Sequence, residues 1–482
     1  MSYPLPTIRR VAIIGGGPGG LVTAKQLKAE KVFDKITIFE RKEQVGGTWV
    51  YSPEVNNNPP LPSIDALKVD PPLKKKDPFI NLHSPIYPNL HTNLPTHVMQ
   101  FRDFDFDEAT PLFPTHKDVL NYLQQFTAKF ELTSHIQLNT SVIHADYDTA
   151  KKEWTLTLQV NKKRKPQTEI SSNNNINNDG EDNQPFIYTE SYDALVVATG
   201  HYSIPYIPDF NGIEHLKQNN ISWNHSRDYR HPDIFKNKTL LIIGSGSSAL
   251  DIVRETSFYA TKVYHSVRTD TKQSLQAHES DANNVKRVGL VQNISKDGKI
   301  QCISNNEQQL IKVDHIIFAT GYLYSYPFFP FQKDNLIIEG QTVLHTHEYL
   351  FYINNPTLAF IGLPIRIVPF PLSQSQANVI AKVFNPERKD VTLPNLERMQ
   401  TIYQQQYDNQ HNGDNTNRQS FVMNTEREFS YVDRLSAWAE GKYDHDQILS
   451  YQSTSLITAP LSDEWKQQRK DSLLTRKEYL GY

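Results

Sequence analysis

Gly15-Gly16-Gly17-Pro18-Gly19-Gly20 and Gly244-Ser245-Gly246-Ser247-Ser248-Ala249 both fit the pattern G-x-G-x-x-G/A. That pattern suits a dinucleotide pyrophosphate. The first glycine makes the tight turn, the second lets the backbone approach the phosphates, and the third lets the helix pack closely on its strand. The helix after the turn offers unpaired N–H groups and the positive end of its dipole. A single copy is weak evidence, because glycine-rich turns are common. Here each copy comes directly after an apolar strand, Val11-Ala12-Ile13-Ile14 or Leu240-Leu241-Ile242-Ile243. Two copies imply two dinucleotides held at once, and therefore electron transfer between them. A flavin oxidoreductase is the expectation.

The strand downstream of each turn separates the two ligands. The strand Lys35-Ile36-Thr37-Ile38-Phe39 ends in Glu40, where a carboxylate accepts the ribose hydroxyls of an unphosphorylated adenosine. The strand Thr261-Lys262-Val263-Tyr264-His265-Ser266-Val267 ends with Arg268 and no acid. Arginine presents a planar fork of donors suited to phosphate. The first site therefore fits FAD and the second NADP(H). The plainer alternative for Arg268 is a solvated surface cation. Ser248, Ala249, Leu250 and Asp251 open the second nucleotide helix, with Asp251 either near the diphosphate or acting as a helix N-terminal charge.

These motifs need strands and helices to carry them. With 482 residues the chain has room for two or three domains. Residues 10–40 read as a βαβ unit with a helix from about Leu21 to Ala29. Residues 41–115 are irregular and rich in Pro, Asn and His, and a loop that long is usually functional. His116 to Glu131 reads as an amphipathic helix, and Glu153–Val160 as a strand. The Asn-rich stretch 161–185 cannot bury a core and predicts a disordered hairpin loop. Two apolar strands end alike, in Ala198-Thr199-Gly200 and Ala319-Thr320-Gly321. The resulting fold class is α/β, with two Rossmann-like domains and the second inserted into the first. The expected division is 1–208 and 325–482 for FAD, the latter with C-terminal helices, and 209–324 for NADP. The crossings lie near His201–Pro205 and Tyr324–Pro327.

Composition excludes several classes. A net charge of −3 gives no argument for nucleic acid as a partner. The runs Lys74-Lys75-Lys76 and Lys162-Lys163-Arg164-Lys165 read as solvated loops. The single cysteine, Cys302, forms no intrachain disulfide and reads as a buried, inert thiol. It also removes disulfide reductases that relay electrons through a cysteine pair. No metal cluster is evident. No signal-peptide-like N-terminus or apolar run of spanning length is present, so a cytoplasmic protein is expected.

Further motifs carry a resemblance. Gly46-Gly47-Thr48-Trp49, Thr92-Asn93-Leu94-Pro95, His225-Ser226-Arg227-Asp228-Tyr229 and Ala319-Thr320-Gly321-Tyr322 accompany the two glycine turns and Glu40. Together they resemble the flavin-containing monooxygenases over nearly the whole chain. The stretches 320–325 and 368–377 look closest to the fungal, thiol-oxidising branch. One fingerprint departs from the family. In F-x-G-x-x-x-H-S-x-x-[YF], the Phe and Gly positions are Asn219 and Ile221, while His225, Ser226 and Tyr229 remain. That puts details of the interdomain linker in doubt more than the reaction. The related Baeyer–Villiger enzymes end this fingerprint in Trp.

The resemblance implies FAD, NADPH and O₂ as reactants, a C4a-hydroperoxyflavin, and a soft sulfur or nitrogen nucleophile as substrate. The cofactor carries the hard chemistry, so no acid–base pair is required of the protein. The resemblance places Gly47, Thr48 and Trp49 against the flavin. It places Asn93, flanked by Thr92 and Leu94, beside both flavin and nicotinamide as the candidate catalytic residue. Ser373, Gln374 and Gln376 read either as closing the flavin's far side or as a helix cap. A Baeyer–Villiger or N-hydroxylating enzyme, and a non-catalytic dinucleotide sensor, stay as alternatives. The resemblance leaves room for a homodimer and for a peripheral contact with the cytosolic face of the endoplasmic reticulum.

Overall fold

In a computed structural model, the strand Arg10–Ile14 lies in the interior of a seven-stranded sheet. The structure describes residues 2–55, 58–71, 84–160, 185–267, 283–304, 307–331, 336–338, 340–411, 421–444 and 453–481. Arg268, the two basic runs and nearly all of the 161–185 loop lie outside the described residues.

Val11, Ala12 and Ile13 are fully buried, because both faces of the sheet are covered. A parallel strand buried on both faces reads as an unbroken apolar run, which is how this one reads. It pairs in parallel with Lys35–Phe39 on one side and with Ala194–Val197 on the other. The chain returns to this sheet with Thr346–His347, Phe351–Tyr352 and Leu358–Phe360, the last parallel to Ala194–Val197. The helix Pro18–Glu30 starts with proline in its first turn, where the fixed φ suits the helix and no N–H is lost. It packs on the helix Pro369–Phe384, which is buried along nearly its whole length.

The second sheet comes from the segment between those two visits. Its five strands are all parallel, in the order Val285–Val288, Lys262–Ser266, Thr239–Ile243, His315–Phe318, Ser222–His225. Separate apolar clusters cover its faces. At the crossing between the two sheets, Ile204–Pro205 pairs antiparallel with Tyr322–Leu323. Mixed α/β architecture, with an all-parallel five-stranded sheet and a seven-stranded sheet that is parallel except at its Thr346–His347 and Phe351–Tyr352 edge, is thus the observed fold.

Local signals set element boundaries. The helix predicted at His116–Glu131 spans His116–Lys129 and begins in a capping box between Thr115 and Asp118. The first nucleotide helix starts earlier than predicted, at Pro18, inside the glycine turn itself. Cys302 is buried in the strand Ile300–Ser304, and burial pushes its thiol up to about 11.

Candidate functional site

The two glycine turns share one construction. At the first, Gly15 has φ +108°, and a Cβ there would lie 2.6 Å from the Ala198 carbonyl oxygen. At the second, Gly244 has φ +138°, and a Cβ would lie 2.2 Å from the Ala319 carbonyl oxygen. Each turn is thus wedged under the end of an Ala-Thr-Gly strand. Only glycine fits both the φ and the approach. The helices behind the turns start at Pro18 and Ser247, with N-caps Gly17 and Gly246, and neither has a side-chain cap. Their first-turn N–H groups are left to a ligand or solvent. At Gly246 a Cβ would meet nothing within 4 Å. The turn there is open among the described residues.

Glu40 sits at the end of its strand, 5% exposed. Its carboxylate accepts from the backbone N–H of Gly16 at 2.6 Å and of Lys42 at 2.8 Å. This fixes the carboxylate across the mouth of the first turn. A carboxylate has about four lone-pair sites, so it keeps acceptor capacity for ribose hydroxyls. Beside it, Lys42 Nζ donates to the Gly47 carbonyl at 3.0 Å. Burial, with help from Arg41 and against Glu40, pushes that ammonium down to about 8.

The Gly46–Trp49 turn docks directly on the first glycine turn. Gly46 N–H donates to the Gly16 carbonyl at 2.9 Å, and Trp49 packs against the first domain's core. Ser84 donates from its hydroxyl to the Thr48 carbonyl. Arg230 then gathers the loops: its guanidinium donates to the carbonyls of Ser52 and Ser84, each at 2.9 Å, and of Arg227 and Tyr229. Thr92 is buried, donates from Oγ1 to the Leu94 carbonyl at 2.8 Å and from N–H to Pro114 at 3.0 Å. Asn93 is exposed, at the rim of this loop.

In the second domain, His265 Nε2 holds the Gly244 carbonyl at 2.7 Å. Ser245, Gly246 and Ser247 are exposed, Ser248 and Leu250 half-buried, and Ala249 buried. Asp251 has partners the sequence did not suggest. Its carboxylate accepts from the Tyr87 hydroxyl at 2.6 Å and from Arg476 at 3.1 Å.

Gln374 and Gln376 act on loops. The Gln376 carbonyl accepts from Gly362 N–H at 2.8 Å, and its amide donates to Tyr431. Gln374 accepts from Arg102 N–H and donates to Asp103. Sequence reading missed Lys42, Tyr87, Arg230, His265 and Arg476 as parts of the site. His265 alone carried a local signal, by facing inward on a nucleotide-domain strand.

The chain matches the flavin-binding monooxygenase-like family model over residues 76–276 and 284–451, and an NAD(P)-binding Rossmann-like domain over 13–63. It is 31% identical over 401 residues to flavin-containing monooxygenase FMO GS-OX3 of Arabidopsis thaliana, covering 82% of this chain and 76% of that one. It is 30% identical over 388 residues to a thiol-specific monooxygenase of Saccharomyces cerevisiae, covering 78% and 77%. Among solved structures, S-allyl-L-cysteine S-oxygenase from Allium sativum superposes with a TM-score of 0.76 at 27% identity, covering 99% of this chain and 94% of that one. Among the described residues no helix is long and apolar enough to cross a membrane.

Proposed function

The chain belongs to the flavin-binding monooxygenase-like family, whose cofactors are FAD and NADP(H), and from that premise we propose that it oxygenates the sulfur of small thiols or thioethers with NADPH and O₂. The observation that carries the redox part is the pair of uncapped helices behind glycine turns, one with a fixed acid and one without. The sulfur part draws on relatives named as thiol-specific monooxygenase and S-oxygenase. The overall balance is thioether + NADPH + H⁺ + O₂ giving sulfoxide + NADP⁺ + H₂O. Nitrogen nucleophiles are the second substrate class.

The residues divide the work. Gly15, Gly16, Gly17, Pro18, Gly19 and Gly20 hold the FAD diphosphate, and Glu40 its adenosine ribose. Gly47, Thr48 and Trp49 line the flavin from one side, and Thr92, Asn93 and Leu94 meet it from the loop. Gly244, Gly246, Ser247, Ser248, Ala249 and Leu250 take the NADP(H) diphosphate, and Arg268 its 2′-phosphate. A bound flavin supplies hydride acceptance from NADPH and activation of O₂. The protein's task is to position the nicotinamide and exclude water, since loss of oxygen to solvent releases H₂O₂. Asn93, with two donors and an acceptor, orients the groups at the flavin.

The test is a panel of thiols, thioethers, tertiary amines and ketones, with oxygenated product and H₂O₂ measured against NADPH consumed. Sulfur oxygenation with little peroxide is expected. Lactone or N-oxide without sulfur product would move the assignment to another branch. Asn93→Ala should retain FAD but shift electrons from product to H₂O₂. A variant as tightly coupled as the parent removes Asn93 from the mechanism.

A further inference from the structure

The loop that carries Asn93 is anchored in the wrong domain. Tyr87, six residues before it, is 3% exposed and packs in the second domain's core with Ala249, Ile252 and Val253. Its ring meets Tyr229 edge-on at 5.5 Å, and Leu90 packs on the same cluster. Its hydroxyl donates to Asp251, on the helix whose first turn faces the second dinucleotide. The C-terminal helix Asp463–Leu480 closes the arrangement from outside. Arg476 Nη2 donates to Asp251 at 3.1 Å, while its Nε donates to the Thr92 carbonyl at 3.2 Å. Tyr479, on the same helix, packs against Phe113 at 5.7 Å, beside the Pro114 carbonyl that holds Thr92 N–H. The Arg476 and Asp251 side chains are 11% and 8% exposed, so this ion pair is shielded.

We infer that Arg476 is a positioning residue that ties the nucleotide helix to the Asn93 loop, so that the nicotinamide and Asn93 keep one geometry. One guanidinium grips both elements, through different nitrogens. Its planar fork can do this, and a lysine ammonium can hold only one of the two without rearranging. Arg476 need not touch cofactor or substrate. It acts through Thr92 and Asp251. The inference rests on the proposed roles of Asn93 and of the second glycine turn.

The test uses the full chain reconstituted with FAD and needs no substrate. NADPH oxidation with peroxide release (NADPH + H⁺ + O₂ giving NADP⁺ + H₂O₂) is measured in parallel with equilibrium binding of NADP⁺. Arg476→Ala should keep its FAD, bind NADP⁺ about tenfold more weakly, and release peroxide about tenfold faster. Arg476→Lys should recover part of both losses. Tyr87→Phe keeps the ring in the core and removes one donor to Asp251; it should shift both readouts in the same direction by a smaller factor, and it carries the test if Arg476→Ala does not fold. In the double variant with Asn93→Ala, peroxide release should match Asn93→Ala alone, because both changes act on one group. Parental peroxide release and NADP⁺ affinity in Arg476→Ala and Tyr87→Phe, or additive effects in the double variant, would overturn the inference. If Asn93→Ala by itself leaves peroxide release unchanged, the reading of Asn93 fails instead, and NADP⁺ affinity alone judges the Arg476–Asp251 link.

Discussion

Gly246→Ala separates binding from folding with a single methyl group. Gly246 has φ −80° and ψ 173°, a conformation alanine adopts freely. Its added Cβ meets no atom within 4 Å. Removing glycine's freedom in the unfolded chain should even stabilise the fold, by about 0.4–1 kcal/mol. In the proposed reading this open space is where the pyrophosphate comes close to the backbone. A methyl there holds the phosphates off the helix N-terminus. Each charge-assisted hydrogen bond lost contributes roughly 1.5–3 kcal/mol, or about 10–150-fold in affinity. Gly244→Ala is the contrasting case, with φ +138° and a Cβ 2.2 Å from the Ala319 carbonyl. It stores about 1–3 kcal/mol of backbone strain before that overlap is relieved, so the domain itself should weaken. The assay is thermal melting without nucleotide beside equilibrium titration with NADP⁺. Gly246→Ala should melt at or above the parent's temperature and bind NADP⁺ at least tenfold more weakly. Parental affinity, or a melting loss as large as that of Gly244→Ala, would refute the reasoning.

The other expectations are independent of that one. Glu40→Gln sets an amide NH₂ against one of two backbone donors at 2.6 and 2.8 Å; FAD affinity should fall about 10–150-fold, with NADP⁺ affinity in the refilled enzyme unchanged. Arg268→Ala should weaken NADPH far more than NADH, and equal losses would move the 2′-phosphate contact elsewhere. Burial pushes His225 down to about 3 and His315 down to about 4. His315 is held neutral, with Ser222 Oγ 2.6 Å from Nδ1 and Asn224 Oδ1 2.6 Å from Nε2. Both groups stay neutral in the fold while the unfolded chain takes up protons near pH 6.5. Stability should therefore fall as pH drops from about 6.5 toward 4, by roughly 1.4 kcal/mol per pH unit for each histidine. His315→Asn should remove one such increment in denaturant titrations between pH 7 and 4.5, and an unchanged slope would assign the acid sensitivity to other groups.

How far each feature could be read in the sequence depends on the range over which it is determined. The glycine turns and the Glu40 position were legible as local geometry because each belongs to the backbone within one βαβ unit. The recurrence of Ala-Thr-Gly was visible as a repeat, while the close approach of the Ala198 and Ala319 carbonyls to Gly15 and Gly244 was not. Residues 41–115 were legible only as irregular. Around Ser52, Ser84 and Thr92 the described part is held by distant guanidinium groups, Arg230 on the Ser52 and Ser84 carbonyls and Arg476 on the Thr92 carbonyl. Such contacts leave no period or local spacing to read. Asp251 shows the same limit. As a helix residue it suggests a dipole charge, yet its partners lie 164 and 225 positions away.

The chemistry sets a further limit. In a flavin monooxygenase the cofactor carries the hard chemistry, so the sequence needs no triad or metal cluster to mark the reaction. The protein's share is geometry and dryness, and those are spread over buried groups of ordinary type. Gln376 illustrates this. It reads as a helix residue or a flavin neighbour, but its amide is spent on Gly362 N–H and Tyr431. It thereby fixes the turn after Ile361, whose side chain would meet a Cβ at Gly19 at 2.7 Å. A change at Gln376 should accordingly act on FAD retention before it acts on substrate choice.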